Sequence, residues 1–175
     1  MSKRKNLQHK VNRSLQTRLL PHKALLDKRF FTVFPMDFAL QVTKTCVWKQ
    51  LERPNRSIYA DVYVPREKRG LMPIMAFLHG GAWMCGSRTD YCHVLFNSFA
   101  ILGFLIVSFD YELLPEASHE NQLENVRDME HFLRRQLQQE FQDLSLSQTI
   151  IVVGASSGAQ LALLTVRQLF CLMLL

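Results

Sequence analysis

The sequence predicts an α/β domain, a β-hairpin followed by a largely parallel βαβαβα unit. Two observations carry this. Three short, continuous apolar runs at 74–78, 104–109 and 149–153 have the length and flanks of buried strands, and helical patterns alternate with them. Buried strands that alternate with helices imply a parallel sheet covered on both faces. Ahead of them, the runs 38–48 and 58–64 are rich in β formers and flank the turn residues Arg53-Pro54-Asn55-Arg56, so they read as an antiparallel pair.

Pro65 closes the second of these runs and Pro73 introduces 74–78, which leads straight into His79-Gly80-Gly81-Ala82-Trp83. Ser87 and Asp90 have the spacing of a helix N-cap and its N3 partner. Tyr91, Val94, Leu95, Phe99 and Leu102 then form a helical face, with Gly103 placed as a C-cap glycine. The run 104–109 ends in Asp110-Tyr111-Glu112-Leu113-Leu114-Pro115-Glu116. Asn121 with Glu124 can cap the next helix, whose expected core face is Leu123, Val126, Met129, Leu133 and Leu137. The run 149–153 enters the turn Gly154-Ala155-Ser156-Ser157-Gly158. A helix from about 157 to 169 follows; it is apolar nearly all round and therefore belongs inside a domain.

Length and composition suit one globular domain: 175 residues, 48% of them hydrophobic, with 12 Phe to fill a core. The expected division is a basic N-terminal arm at 1–37 and a partial α/β domain at 38–175. Charge is uneven. Residues 1–56 carry 13 Lys/Arg against 3 acids, net +10, and residues 57–175 carry 8 against 12, net −4. The basic character thus belongs to the start of the chain. The body lacks the basic-aromatic interleaving of a nucleic-acid surface, so no nucleic-acid partner is expected. Leu7, Val11, Leu15 and Leu19 make one helical stripe among basic residues. Such a segment could touch a membrane; a solvated arm packed on the domain is the simpler expectation. No secretory signal and no run near the ~18 apolar residues of a membrane span are visible. Cys46, Cys85, Cys92 and Cys171 follow no metal-binding spacing. They read as thiols of a reducing compartment, with a disulfide pair left open as the alternative, and the expected location is cytoplasmic.

The strongest chemical signal is Gly154–Gly158, a G-x-S-x-G pattern between a predicted strand and a predicted helix. That context gives the motif physical meaning: a strained turn lifts Ser156 above the sheet, and the N–H of Ser157 points where an oxyanion would form. A glycine-rich dinucleotide loop is the rival, but it wants a further glycine where Gln160 stands and opens a domain at its first strand. The second signal is His79-Gly80-Gly81-Ala82-Trp83. Small residues after a buried strand let backbone N–H groups face a developing negative oxygen.

Taken in order, His79–Trp83, Asp110–Glu116 and Gly154–Gly158 resemble the hormone-sensitive-lipase-like branch of the α/β-hydrolases. The typical forms of that branch are His-Gly-Gly-Gly, Asp-Tyr-Arg-Leu-Ala-Pro-Glu and Gly-Asp-Ser-Ala-Gly. The resemblance covers about 58–168. It implies a serine hydrolase of the esterase/lipase type that acts on a small ester or amide substrate through an acyl-enzyme. Ser156 would be the nucleophile, and Gly80, Gly81, Ala82 and Ser157 would share the oxyanion hole. No metal or organic cofactor is implied, and Asp110 would be structural. Ala82, Glu112, Ala155 and Ser157 depart from the family forms, and Glu112 reverses the charge of the family arginine.

In this fold the triad runs Ser, then Asp/Glu, then His along the chain. After Ser156 this sequence has no Asp, Glu or His. The expectation is therefore the N-terminal half of a hydrolase sheet, truncated after the nucleophile helix and inactive as an isolated chain. The alternative is a non-catalytic relative that binds or regulates.

Overall fold

The computed structural model describes residues 40–164, apart from positions 53 and 69. The basic arm expected at 1–37, the end of the helix expected from about 157 to 169 and the apolar run at 169–175 lie outside the described residues.

Five strands form one sheet in the order β1-β2-β4-β3-β5. Strands β1 (Lys44–Leu51) and β2 (Arg56–Tyr63) make the expected antiparallel hairpin, shifted toward the turn from the predicted limits. Strand β2 also pairs antiparallel with β4 (Leu105–Phe109). Strand β3 (Met72–Leu78) lies parallel between β4 and β5 (Leu146–Gly154). The three predicted buried runs are thus the parallel part of the sheet, and both crossovers between them contain helix.

Helix α1 (His93–Ile101) covers one face. Against it β3 presents Met75 and Phe77, which meet Tyr63, Ile106 and Phe96 in a small core. Phe96 is fully buried, stacked on Tyr91 at 4.0 Å and edge-on to Phe77 at 5.1 Å. On the opposite face the alternate residues Ile74, Ala76 and Leu78 join Val62, Val107 and Phe109. There they pack on α2 (His119–His131) through Val126 and Met129, and on Leu161. Leu161 belongs to α4, the helix that starts at 157 and is described to 164. The period-two alternation of β3 therefore feeds two cores at once. After α2 the chain makes a π-turn, Phe132–Gln136, and a short helix α3, Leu137–Glu140.

Several local expectations are corrected. Ser87 and Asp90 do bond to each other, but they close a turn: the Ser87 N–H donates to Asp90 Oδ2 at 2.8 Å, and α1 begins only at His93. Of the predicted face, Tyr91, Leu95 and Phe99 pack on the small core, but Val94 and Leu102 are exposed and the fully buried residue of α1 is Phe96. Helix α2 is capped by Ser118 with Asn121 as its N3 partner, a full capping box one turn ahead of the predicted Asn121–Glu124 pair. Gly103 behaves as expected. Its φ is 86°, its N–H donates to Ala100 O, and Phe104 N–H donates to Phe99 O, which is a Schellman closure.

The two edges of the sheet differ. Strand β1 carries Lys44 and Lys49 and an irregularity between Val47 and Lys49, the devices that keep an edge from pairing with other chains. Strand β5 carries no charge and no proline, and none of its residues is fully buried. Ala155 N–H donates to Leu78 O, so the odd-numbered residues just before it direct their amides to β3. Ile150 and Val152 therefore direct theirs away from the sheet. A proline at an outward amide removes no ladder bond. Val152→Pro should accordingly cost less than Ile151→Pro by about one hydrogen bond and its orphaned acceptor, ~1–3 kcal/mol. Urea unfolding of the two variants measures the difference; equal costs would contradict this register.

Candidate active site

The site is built where β5 turns into α4. Gly154 ends the strand, Ser156 adopts φ 51°, and α4 starts at 157. A left-handed backbone at a non-glycine residue is strained by about 1–3 kcal/mol and persists only when its surroundings enforce it. Here they do. A Cβ on Gly154 would sit 2.2 Å from Gly158 O, and one on Gly158 would sit 2.2 Å from Leu78 O and 2.4 Å from His79 O. The elbow is thus pressed, backbone on backbone, onto the end of β3. Ser156 is exposed at its tip and Ser157 is buried beneath it.

The Gly-Gly turn leaves the end of the same β3 and meets the elbow directly. A Cβ on Gly80 would lie 3.1 Å from Ala155 O and 3.3 Å from Ser156 Cβ. Sequence-distant candidates, Gly80 and Ser156, are therefore neighbours. Gly81 (φ 128°), Ala82 (φ 52°) and Trp83 (φ 64°) continue the turn in left-handed conformations. The N–H groups of Gly81, Ala82 and Ser157 donate to no acceptor among the described residues.

Each of the first two donors sits on a peptide whose carbonyl is pinned. Gly80 O, on the peptide that carries Gly81 N–H, accepts from His79 Nδ1 at 2.7 Å. A carbonyl can only accept, so Nδ1 bears the proton. Gly81 O, on the peptide that carries Ala82 N–H, accepts from the N–H groups of Met84 and Cys85, both at 3.0 Å, and from Cys85 Sγ at 3.3 Å. His79 is buried and stacked on Tyr111 at 4.3 Å, and Tyr111 donates its hydroxyl to His79 O at 2.8 Å. Burial pushes the His79 imidazole below its ordinary pKa, outweighing the Gly80 carbonyl bond that raises it, so the ring is held neutral. Burial pushes the Tyr111 phenol up. The buried Ser157 hydroxyl lies near that phenol but makes no well-formed hydrogen bond.

Asp110 binds the loop that follows the turn. Its Oδ1 accepts from Arg88 N–H at 2.7 Å and its Oδ2 from Arg88 Nη1 at 2.6 Å. Arg88 Nε lies 3.0 Å from the buried Asp61, out of line for a good hydrogen bond, and Ser108 Oγ donates to Arg88 O at 2.7 Å. Glu112, the charge-reversed position, accepts from Asn125 Nδ2 at 2.7 Å and lies 3.8 Å from Lys49 Nζ. Arg88, Gln122 and Asn125 escaped the sequence reading. Gln122 and Asn125 are buried polar residues one turn apart, and the usable signal was their helical spacing with Val126 and Met129.

No described side chain is hydrogen-bonded to the Ser156 hydroxyl. His93 sits against Tyr91, His119 bonds Gln122, and His131 is exposed at the end of α2. No group of metal-ligating side chains gathers among the described residues, and no described helix is long and apolar enough to cross a membrane. Beside the elbow, an open hollow of about 550 Å³ runs between α1 and β5, lined by Phe77, Tyr91, Leu95 and Val153 among others.

The family model BD-FAE matches residues 60–168, which takes in the hairpin's second strand, the Gly-Gly turn and the elbow. The chain belongs to the BD-FAE family of α/β-hydrolases. It is 29% identical over 128 residues to the rice (Oryza sativa subsp. japonica) protein named "Probable isoprenylcysteine alpha-carbonyl methylesterase ICMEL1", an alignment covering 73% of this chain and 28% of that one. It is 32% identical over 132 residues to the non-reducing polyketide synthase mapC' of Penicillium brevicompactum, over 69% of this chain and 6% of the synthase. Among solved structures, an esterase of Pyrobaculum calidifontis superposes with a TM-score of 0.57 at 26% identity, covering 74% of this chain and 40% of the esterase. A bacterial heroin esterase superposes at 0.60 and 19% identity, over 80% and 42%. The chain therefore spans well under half the length of these relatives. The α/β-hydrolase fold and the esterase-like family expected from the motifs are both borne out.

Two outcomes follow from this packing. Gly158→Ala should destabilise by more than the ~1–3 kcal/mol of ordinary overpacking, because its methyl group meets backbone rather than a mobile side chain; denaturant titration reads it. Folding also holds His79 neutral, whereas an unfolded histidine titrates near ~6.5. As pH falls, the unfolded chain takes up that proton first, so this contribution is complete above about 6.5 and is lost as pH drops below it. Unfolding midpoints across that range should fall more steeply for the parent chain than for His79→Gln.

Proposed function

We propose that this chain carries the nucleophile and the oxyanion hole of a carboxylic-ester hydrolase. Ser156 Oγ attacks the ester carbonyl carbon, and the C–O bond to the alcohol breaks as the hydroxyl proton passes to the leaving oxygen through a base. Water then attacks the acyl-serine, releasing the acid and restoring the hydroxyl. The negative oxygen of each tetrahedral intermediate lies on the N–H groups of Gly81, Ala82 and Ser157, with Gly80 giving the turn its close approach. The observation that carries this reading is the contact between Gly80 and Ser156, beside N–H groups that no described acceptor uses. The esterase names of the relatives, a methylesterase among them, support a small carboxylic ester as substrate.

A serine hydroxyl needs a base, and residues 157–175 contain no His, Asp or Glu. On this reading the described residues hold the serine in place, and none of their side chains is hydrogen-bonded to its hydroxyl to activate it. Exogenous imidazole can stand in for the base. In a fluorophosphonate experiment read by intact mass and peptide mapping, labelling should be slow in plain buffer, accelerated by imidazole, and absent in Ser156→Ala. A folded chain that takes no label at Ser156 even with imidazole would leave the binding-protein alternative standing.

A further inference from the structure

Resting on that hydrolase reading, we propose that Gln122 is a positioning residue of the oxyanion hole, acting through the carbonyl of Trp83. Ala82 and Trp83 are consecutive non-glycine residues with positive φ, 52° and 64°. Each is strained on its own, so the surroundings must hold them. On the upstream side the Gly81 carbonyl is held within the turn itself by Met84 and Cys85. On the downstream side the hold comes from elsewhere in the fold. Trp83 O accepts from Leu114 N–H at 2.9 Å and from Gln122 Nε2 at 3.1 Å.

Gln122 is suited to this and to little else. It lies in the first turn of α2, fully buried. Its amide group is fully used: Nε2 donates both to Trp83 O and to Glu112 O, at 2.9 Å for the latter, and Oε1 pairs with His119 Nδ1 at 2.9 Å. One side chain thus ties the Gly-Gly turn to the loop after β4 and to the start of α2. If volume were all the position required, Met or Leu would fill it without the cost of burying an amide. At the site the buried donor fixes the Trp83 carbonyl and with it the 83–84 peptide, whose Met84 N–H donates to Gly81 O at 3.0 Å and so helps set the peptide that carries Ala82 N–H.

The two tryptophans supply the test. Among the described residues Trp83 Nε1 has no hydrogen-bond partner, whereas Trp48 Nε1 donates to Asp110 O at 3.1 Å on the far side of that loop. Their indole N–H signals in a nitrogen–proton correlation spectrum therefore report the turn and the fold separately. In Gln122→Met the Trp83 indole and the Ala82 and Trp83 amides should shift or broaden while the Trp48 indole stays in place. The imidazole-assisted fluorophosphonate rate at Ser156 should drop by roughly the ~10²–10³ that loss of an oxyanion donor brings. Gln122→Glu keeps the volume and the acceptor for His119 but turns a carboxylate toward two carbonyls, and should give the same pattern. Unmoved Trp83 signals with an unchanged labelling rate would overturn the proposal. Loss of the Trp48 signal in both variants would overturn it too, by making Gln122 a folding residue. If the parent chain takes no label with imidazole, the hydrolase reading fails, and the spectra still decide whether Gln122 holds the turn.

Discussion

The structure depends on one contact between backbones, the seating of Gly158 on the carbonyls of Leu78 and His79 at the end of β3. No side chain takes part. A Cβ at Gly158 would lie within 2.4 Å of both oxygens, and one at Gly154 would strike Gly158 in turn. This closeness lets Ala155 N–H reach Leu78 O, extends the parallel ladder into the elbow and forces Ser156 into its left-handed backbone. Because β3 is also the strand that ends in the Gly-Gly turn, the same contact brings Ser156 and the proposed oxyanion donors together. The site is an outcome of how two strand ends pack rather than of flexible loops meeting.

Around that contact the fold spends buried polar groups freely. His79, Ser108, Gln122, Asn125 and Asp61 are all buried, and each has a hydrogen-bond partner or a charged one nearby. His79, Gln122 and Asn125 act on the turn after β3, the loop after β4 and the start of α2, while Ser108 and Asp61 meet Arg88 in the loop that follows the turn. Apolar packing suffices to place strands and helices; fixing peptide planes in left-handed turns takes directed bonds. The strained residues Ala82 and Trp83 therefore lie in a turn whose carbonyls at Gly80, Gly81 and Trp83 are each held by a side-chain donor.

Most of the fold was legible because it rests on periodicity and on backbone rules. The apolar runs at β3, β4 and β5 and the glycines at 103, 154 and 158 carry their meaning in residue type alone. The apolar face of α2 was legible, since Leu123, Val126, Met129, Leu133 and Leu137 all pack on the core, but the face of α1 and the buried amides of α2 were harder. Phe96 was missed because α1 is apolar on nearly every side, so its stripe does not point. Gln122 and Asn125 were missed because buried amides look like a wet face until their partners are known. The capping box of α2 was read one turn late because Ser118 and Asn121 both suit the role, and only geometry separates them. The candidate serine and its donors were found through motif order. What their spacing could not give is the pinning of each donor peptide by its own carbonyl, which needs three dimensions.

The unlike edges of the sheet give the molecule a growth direction. Lysines and an irregularity disfavour a further strand on β1, while among the described residues β5 offers outward amides in an uncharged strand, apolar from Ile150 to Val153, beside an open hollow. Any polypeptide that extends this sheet, from the same chain or from another, must therefore enter beside the elbow. If it runs parallel, as β3 and β4 do, its C-terminal end emerges next to Ser156. Among the described residues the serine stands at the edge of the sheet rather than in its middle, so a strand that paired there would border the candidate site as well as the fold.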